Sequence, residues 1–389
     1  MRNSKIKICR VANTDIAVKF LLLNQLKFLK NKGYDVSVVC ADGGLIDDIK
    51  KNGIKIKIIN FNRGFNIFSH VVSLFGLYFY FKKEKFDIVH THTPVPGLLG
   101  QLVAKMAGVP IIINTIHGFY FADSSNFLKR NFYAFIEKLS AKFSDSILSV
   151  SQGIIDTAID EKICRGNLLH YLGRDIDINR FNPDRFSIDF IRSKKRELGL
   201  SDEGRVIGIV GRLVKEKGYL ELFRAFRNVL KKLPKTSLLI IGPEEFKKKD
   251  KISSNLIKKL NAQKNIFFLG QRTDVDELYT LMDVFVLPSY REGIGASILE
   301  ASAMGKPVIS TNIPGCREAI DDGKTGILIP VKDSEKLAEA IIYLFENPEK
   351  AKQFGQAGRE KIKREFSGNI VLNRIEIEYS RLVKEKLRS

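Results

Sequence analysis

Short apolar runs of roughly four to eight residues, each followed by a longer amphipathic stretch, recur along the 389-residue chain, and that alternation admits few folds. A parallel strand pair needs a crossover between its members, so strands alternating with helix-length segments build parallel sheets covered on both faces. One series reads KIKICRVA, DVSVVCA, KIKIINF, DIVHTHT, PIIINTIHG and DSILSVS, closing with LLHYLGR near residue 174. A second runs RVIGIVGR, TSLLIIG, NIFFLG, VFVLPS, PVIST and GILIP. Between them DIDINRFNPDRFSIDFIRSKKRELGLSDEG is polar and charged, a linker plus the first helix of a second domain, with the seam near residue 180. The expected class is α/β: two Rossmann-like doubly wound domains facing a cleft. The first spans 1–180 and the second 181–366, with a C-terminal helix, 367–389, expected to pack back on the N-terminal domain. After the last strand, DSEKLAEAIIYLFENPEK opens from an Asp333 or Ser334 cap with Leu337, Ala340, Ile341 and Leu344 at helical spacing. In such sheets ligands bind outside the carboxyl ends of the strands, so the chemistry is expected in loops that follow strands.

The charge narrows the partners. Sixty-four Lys and Arg against 44 Asp and Glu leave +20, and residues 1–150 hold 21 basic against 10 acidic side chains, a difference of +11. That excess suits an anionic membrane face or a phosphate-bearing substrate. No zinc-finger spacing, RNP-type strand or basic zipper points to nucleic acid, and none is expected as a partner. Four scattered cysteines, Cys9, Cys40, Cys164 and Cys316, form neither a disulfide framework nor a metal pair and fit a reducing compartment. The N-terminus MRNSKIKICRVA runs straight into a strand pattern without a signal-peptide core. The longest apolar run, Ile67 to Phe81, falls short of the roughly 20 residues a membrane span needs and reads as a helix on the N-terminal sheet or a peripheral bilayer contact.

Two segments carry the candidate chemistry. In GIVGRLVKEKG, 208–218, a strand breaks at Gly211 and presents Arg212 and Lys217, a planar donor fork and a mobile point charge suited to one anion. The alternative is ordinary solvated charge ahead of a surface helix. In VFVLPSYREGIGASILEASAMGKPVI a strand leads through a glycine-containing loop into a helix, so Glu292 lies in the loop and Glu300 about a turn inside the helix. The helix start, near Gly295, Ala296 and Ser297, favours an anion, and a carboxylate on either side suits hydroxyl groups. An anion with a polyol at each end describes a nucleotide sugar. Neither GxGxxG after the first strand nor GxxxxGK[ST] anywhere is present, which disfavours dehydrogenases and NTPases.

These pieces, with FDIVHTHTP (86–94), TIHG (115–118), GRDIDINRFNP (173–183), GQRTDVDELY (270–279) and GCREAIDDGKTGILIP (315–330), resemble the retaining glycosyltransferases of family 4 with the GT-B fold, over nearly the whole chain. The resemblance implies that Arg212 and Lys217 hold the donor diphosphate, that Glu300 binds the ribose hydroxyls and that Glu292 contacts the donor sugar. It sets the backbone of Gly293, Ile294 and Gly295 against that sugar and its phosphate, lays the loop around Arg272 along the base, and brings His117 near the reacting carbon. It implies that 1–180 binds the acceptor and 181–366 the donor, with no cofactor and no metal, a UDP-sugar as the expected donor, and a lipid-linked or glycan acceptor at the cytoplasmic membrane face. Retention of configuration is implied too, by attack on the face of departure. Many members carry a glycine-rich loop after the first strand, where this chain has Ala12, Asn13, Thr14 and Asp15; Asn13 and Thr14 stand as acceptor candidates with His92 and with Phe119 and Tyr120 of FYFADSSNFLKRNFYAF.

Three other readings stand beside this one. Paired glutamates also serve glycosidases, which have no diphosphate for a basic pair to hold. A sugar-nucleotide epimerase could use the same architecture, and a non-catalytic basic protein could bind anionic lipid or nucleic acid. His90 and His92 alternate toward one face and invite a metal with His117, but no carboxylate or cysteine at ligand spacing joins them. Lys247, Lys248, Lys249 and Lys251 read as a solvated loop cluster.

Overall fold

The computed structural model describes residues 5–60, 67–92, 94–119, 127–245 and 250–388; Tyr120 and Lys247 to Lys249 lie outside them. The chain divides into two compact units, Met1–Gly173 with Asn369–Ser389, and Arg174–Gly368. The division falls ahead of residue 180 because Ile176 is sewn to the second unit, its N–H donating to the Phe366 carbonyl (3.0 Å) and its carbonyl accepting from Gly368 (3.2 Å).

The first unit holds seven parallel strands: β1 (Lys7–Thr14), β2 (Asp35–Ala41), β3 (Lys55–Ile58), β4 (Ile88–Thr91), β5 (Ile111–Ile116), β6 (Ser146–Ser149) and β7 (Leu169–Tyr171), ordered β3-β2-β1-β4-β5-β6-β7. The second holds six: β8 (Arg205–Val210), β9 (Thr236–Ile241), β10 (Ile266–Phe268), β11 (Val284–Leu287), β12 (Val308–Thr311) and β13 (Gly326–Ile329), ordered β10-β9-β8-β11-β12-β13. Both are doubly wound with the order reversing beside the first strand, so β1/β4 and β8/β11 are the switch points where loops diverge and open a crevice. The expected α/β class is the fold observed. The helix Ser334–Glu346 starts where its cap signal places it, with the Asp333 carboxylate accepting from the N–H groups of Glu335 and Lys336.

Strand alternation sorts the first unit's core into two layers. Ile8, Val38, Ile88 and Ile113 face one side with Leu22, Leu26 and Leu29; Cys9, Val39, Val89 and Ile112 face the other with Leu77, Phe81 and Val103. The C-terminal helix Gly368–Leu387 completes the first layer, burying Val371, Ile375, Tyr379, Leu382 and Val383. Removing one such side chain, as in Ile375→Ala, costs about 2–5 kcal/mol. The second layer lies under the helices Ile67–Glu84, Pro94–Ala107 and Phe127–Phe143, where a polar chain is buried as well: Ser140 donates to Gln101 (2.7 Å), Gln101 to Thr91 (2.9 Å) and Thr91 to Asn114 (2.9 Å).

In the helix Phe127–Phe143, burial raises the Glu137 carboxyl from its ordinary 4.5 to about 7. Between those values the folded chain holds a proton that the unfolded chain has released, so stability falls as pH rises through the window, by about 3 kcal/mol in all. Urea unfolding from pH 4.5 to 7 should show that decline, and Glu137→Gln should flatten it; parallel profiles for the two proteins would contradict the assignment.

Candidate functional site

The sequence-predicted Arg212 and Lys217 follow β8, and the run from Glu292 to Ser297, with Glu300, follows β11, all at the carboxyl ends of their strands. Past β8 the chain turns through Gly211, whose carbonyl accepts from the buried Tyr219 hydroxyl (2.7 Å), and a short turn Lys215–Lys217 ends at Gly218 in the left-handed region (φ 75°). A Cβ at Gly218 would strike the Pro288 carbonyl, and one at Gly315 would strike the carbonyls of Glu292 and Gly293. Two glycines therefore hem in the loop after β11, and the Tyr290 N–H ties it to the Glu216 carbonyl (2.8 Å). These close approaches are why Lys217 and Glu292, 75 residues apart, meet: Nζ donates to Oε1 at 2.5 Å in a largely buried pair. Ser289 also donates to that oxygen (2.8 Å), and its own carbonyl accepts from Thr311 of β12. Beneath the pair Cys316 accepts from Ser310 (3.1 Å), and burial pushes its thiol up to about 12.

Arg212 is half-exposed and forks between Glu216 (3.0 Å) and Glu245 (3.4 Å), while Arg291 reaches the other Glu216 oxygen (3.4 Å). Lys217 and Arg212 thus each have a carboxylate counter-ion, and an arriving phosphate would exchange with these carboxylates rather than meet bare cations. Glu216, Glu245 and Ser289 are the partners that reading the motifs residue by residue missed. Only Glu216 had a signal, four residues after Arg212.

The helix Ala296–Ala303 begins at Gly295 with no side chain capping it, which leaves its first turn to a ligand's oxygens. The Ile294 side chain is buried, so Ile294 can meet a ligand only through its backbone. Glu300, one turn in, accepts from the Tyr279 hydroxyl at 2.8 Å; Tyr279 also reaches the Ser297 carbonyl (3.2 Å) and packs edge-on to Phe181 (6.0 Å). Burial raises the Glu300 carboxyl above its ordinary value, opposed by the Tyr279 hydrogen bond and by Arg174 and Arg180. The Tyr279 hydroxyl is itself raised by burial and by Glu300 and stays a donor. Its helix, Val275–Thr280, is pinned through Asp276 by Arg180 (3.0 Å) and Arg185 (2.9 Å). Arg272 is engaged with Asp274, which burial-opposed pairing lowers to about 2.

In the first unit, Arg10 of β1 is fully buried and donates to Gln25 (3.1 Å), with His92 Nε2 at 2.8 Å. His92 Nδ1 lies 3.4 Å from His117 Nε2. His90 stacks on His92 (4.4 Å), with Nδ1 on the Tyr379 hydroxyl (2.7 Å) and Nε2 on Thr115 (2.6 Å). Both nitrogens of His90 are therefore occupied by hydroxyls, and among the described residues no group of three or more His, Cys, Asp or Glu is arranged to hold a metal ion. Burial first and Arg10 second push His90 and His92 well below 6.5, so both are neutral. His92 and Phe119 are buried; His117, Asn13 and Thr14 are half-buried, and the Thr14 hydroxyl caps the turn Asp15–Ala17. Asp15, also buried, takes the N–H groups of Gly43 and Leu45 (both 2.7 Å) and so joins the loops after β1 and β2 without glycines in the first.

The chain is similar to known proteins over nearly its whole length. Residues 190–361 match the family model for glycosyl transferases group 1, and residues 7–151 match that for glycosyl transferase 4-like proteins. The chain is 30% identical over 386 residues to the capsular polysaccharide biosynthesis glycosyltransferase CapM of Staphylococcus aureus, covering 99% of each chain. It is 29% identical over 345 residues to the UDP-Gal:alpha-D-GlcNAc-diphosphoundecaprenol alpha-1,3-galactosyltransferase of Escherichia coli, covering 87% of this chain and 88% of that one. The fold of Anabaena HepE, solved in complex with UDP and glucose, superposes with a TM-score of 0.84 at 20% identity over 96% of this chain and 99% of that one.

Replacing Tyr279 with Phe removes the hydroxyl that stabilises the ionised form of Glu300, so the Glu300 carboxyl should titrate at higher pH in the variant, read by carbon-detected NMR. An unchanged titration would mean that the tyrosine does not hold the carboxylate.

Proposed function

The chain belongs to the glycosyl transferases group 1, and from that premise we propose that it moves a hexose or N-acetylhexosamine from a UDP-sugar to a lipid-linked or glycan acceptor in cell-surface polysaccharide or glycolipid synthesis. The observation that carries the reading is the Lys217–Glu292 pair beside the uncapped start of the helix Ala296–Ala303. As the sugar leaves, its anomeric carbon turns cationic and the diphosphate gains charge, so a cation fixed at the leaving oxygens lowers the barrier most directly. Lys217 has three N–H donors, one of them spent on Glu292, and the others suit phosphate oxygens. Arg212 contributes a second cation on exchanging Glu216 or Glu245 for phosphate, and the first turn of the helix, at Gly295, Ala296 and Ser297, adds backbone donors.

Glu292, held by Lys217 and Ser289, accepts from the sugar hydroxyls. Glu300, held by Tyr279, accepts from the ribose hydroxyls, and the backbone around Arg272 lies along the base. In the N-terminal unit His117, set by neutral His92, meets the donor sugar near the reacting carbon, with Asn13 and Thr14 on the acceptor side. The acceptor oxygen bonds to the anomeric carbon on the face from which the phosphate oxygen departs, and its proton passes to that phosphate. The configuration is thereby retained, and the step as written calls on no metal. The work is done at the cytoplasmic face of the membrane, where a lipid-linked acceptor is presented. The contact proposed is peripheral; no helix among the described residues is long and apolar enough to cross a bilayer.

A screen of UDP-, GDP- and ADP-sugars for donor hydrolysis and transfer tests the reading. With the active donor, Lys217→Ala and Arg212→Ala should each lower kcat by about 10²–10³, the cost of losing one leaving-group donor, at nearly unchanged thermal stability. Full turnover in either variant would overturn the assignment.

A further inference from the structure

Two helices of the first unit repeat one surface pattern that the donor chemistry does not use. Along Ile67–Glu84 the outward stripe runs Val72, Phe75 and Phe79 and then Lys82 and Lys83; along Phe127–Phe143 it runs Leu128, Phe132 and Phe135 and then Lys138 and Lys142. Spacings of three and four residues keep each set on one face. The six apolar side chains are between 44% and 79% exposed, whereas the opposite faces of the same helices, with Leu77, Phe81 and Ser140, are buried.

The two helices flank a third. Right-handed crossovers put both on the same face of the sheet, and Pro94–Ala107 packs between them, with Leu98, Leu99 and Leu102 half-buried on its surface. Each runs antiparallel to the strands, so each begins at the carboxyl end of the sheet, the end that carries His117. The paired apolar ridges thus start at the catalytic end and the lysines follow behind.

We propose that this face is where the protein seats on an anionic lipid bilayer, the phenylalanines entering the acyl boundary and the lysines meeting lipid phosphates. Charge selects this occupant. Across the three helices Lys82, Lys83, Lys105, Lys129, Arg130, Lys138 and Lys142 stand against Glu84 and Glu137, and Glu137 is buried with its carboxyl raised. A second copy of this chain would bring the same positive field to the interface, whereas an anionic surface attracts it. The inference rests on the lipid-linked acceptor proposed above, because a face that begins beside His117 would hold the active end close to the headgroup from which such an acceptor projects.

Sedimentation of the full chain with vesicles of phosphatidylcholine mixed with phosphatidylglycerol, and with phosphatidylcholine alone, tests it, with calorimetric UDP binding measured on the same samples. The wild type should pellet with the anionic vesicles and be released by salt. Phe75→Ser with Phe135→Ser should lower the partition by more than about tenfold, and so should Lys82→Glu with Lys83→Glu, with UDP binding unchanged. Equal pelleting of wild type and variants, no pelleting of the wild type, or a dimer that the serine pair splits into monomers would each overturn the proposal. Vesicle binding lost on substitution in a protein that ignores UDP would sustain this surface and sink the donor reading, and UDP binding without vesicle binding would do the reverse.

Discussion

Lys217 and Glu292 come from loops after different strands, and their 2.5 Å contact fixes the geometry of the second unit's site. Such a pair exists only because the backbone allows two loops to touch. Gly218 lets the first turn pass under Pro288, and Gly315 lets the following helix approach the carbonyls of Glu292 and Gly293. A largely buried ion pair is a poor source of net stability, since desolvation offsets most of the Coulomb attraction. Its use is positional. A lysine left alone is a mobile point charge, whereas one held by Glu292, itself braced by Ser289, presents its remaining donors in one direction.

The same device is used for the second carboxylate with a neutral partner. Glu300 lies where burial alone would favour the protonated acid, and Tyr279, Arg174 and Arg180 pull it back toward ionisation. Tyr279 in turn depends on a helix anchored by Arg180 and Arg185 through Asp276, so the segment that opens the second unit bears on an acceptor oxygen some 120 residues downstream. In the first unit the logic is reversed. Arg10 and burial keep His90 and His92 neutral, and the stack they form supports His117 without competing for protons near neutral pH.

Much of this layout was legible before any coordinates. The alternation of apolar and amphipathic segments is a local signal, and it specified both sheets, because strands buried on both faces must be continuously apolar. Glu292, Lys217 and the helix start could be placed since each lies at a fixed offset from a strand. Pairings across loops could not: nothing near Arg212 announces Glu245, and nothing near Glu300 announces Tyr279, 21 residues earlier. Nothing beside Arg10 in the sequence announces its partners either, Gln25 and, just past β4, His92. The run from Ile67 fits either core or bilayer contact by sequence, and its helix buries Leu77 and Phe81 while exposing Phe75 and Phe79. Which face is covered depends on neighbouring helices, information that periodicity alone does not contain.

We propose above all that Lys217, steadied by Glu292, recognises a diphosphate and not merely a nucleoside. Calorimetric titration of UDP and of uridine into the wild type and Lys217→Ala isolates that term. UDP should bind the wild type far more tightly than uridine, and the variant should lose most of that difference while its uridine affinity holds. Equal preference for UDP in both proteins would contradict it.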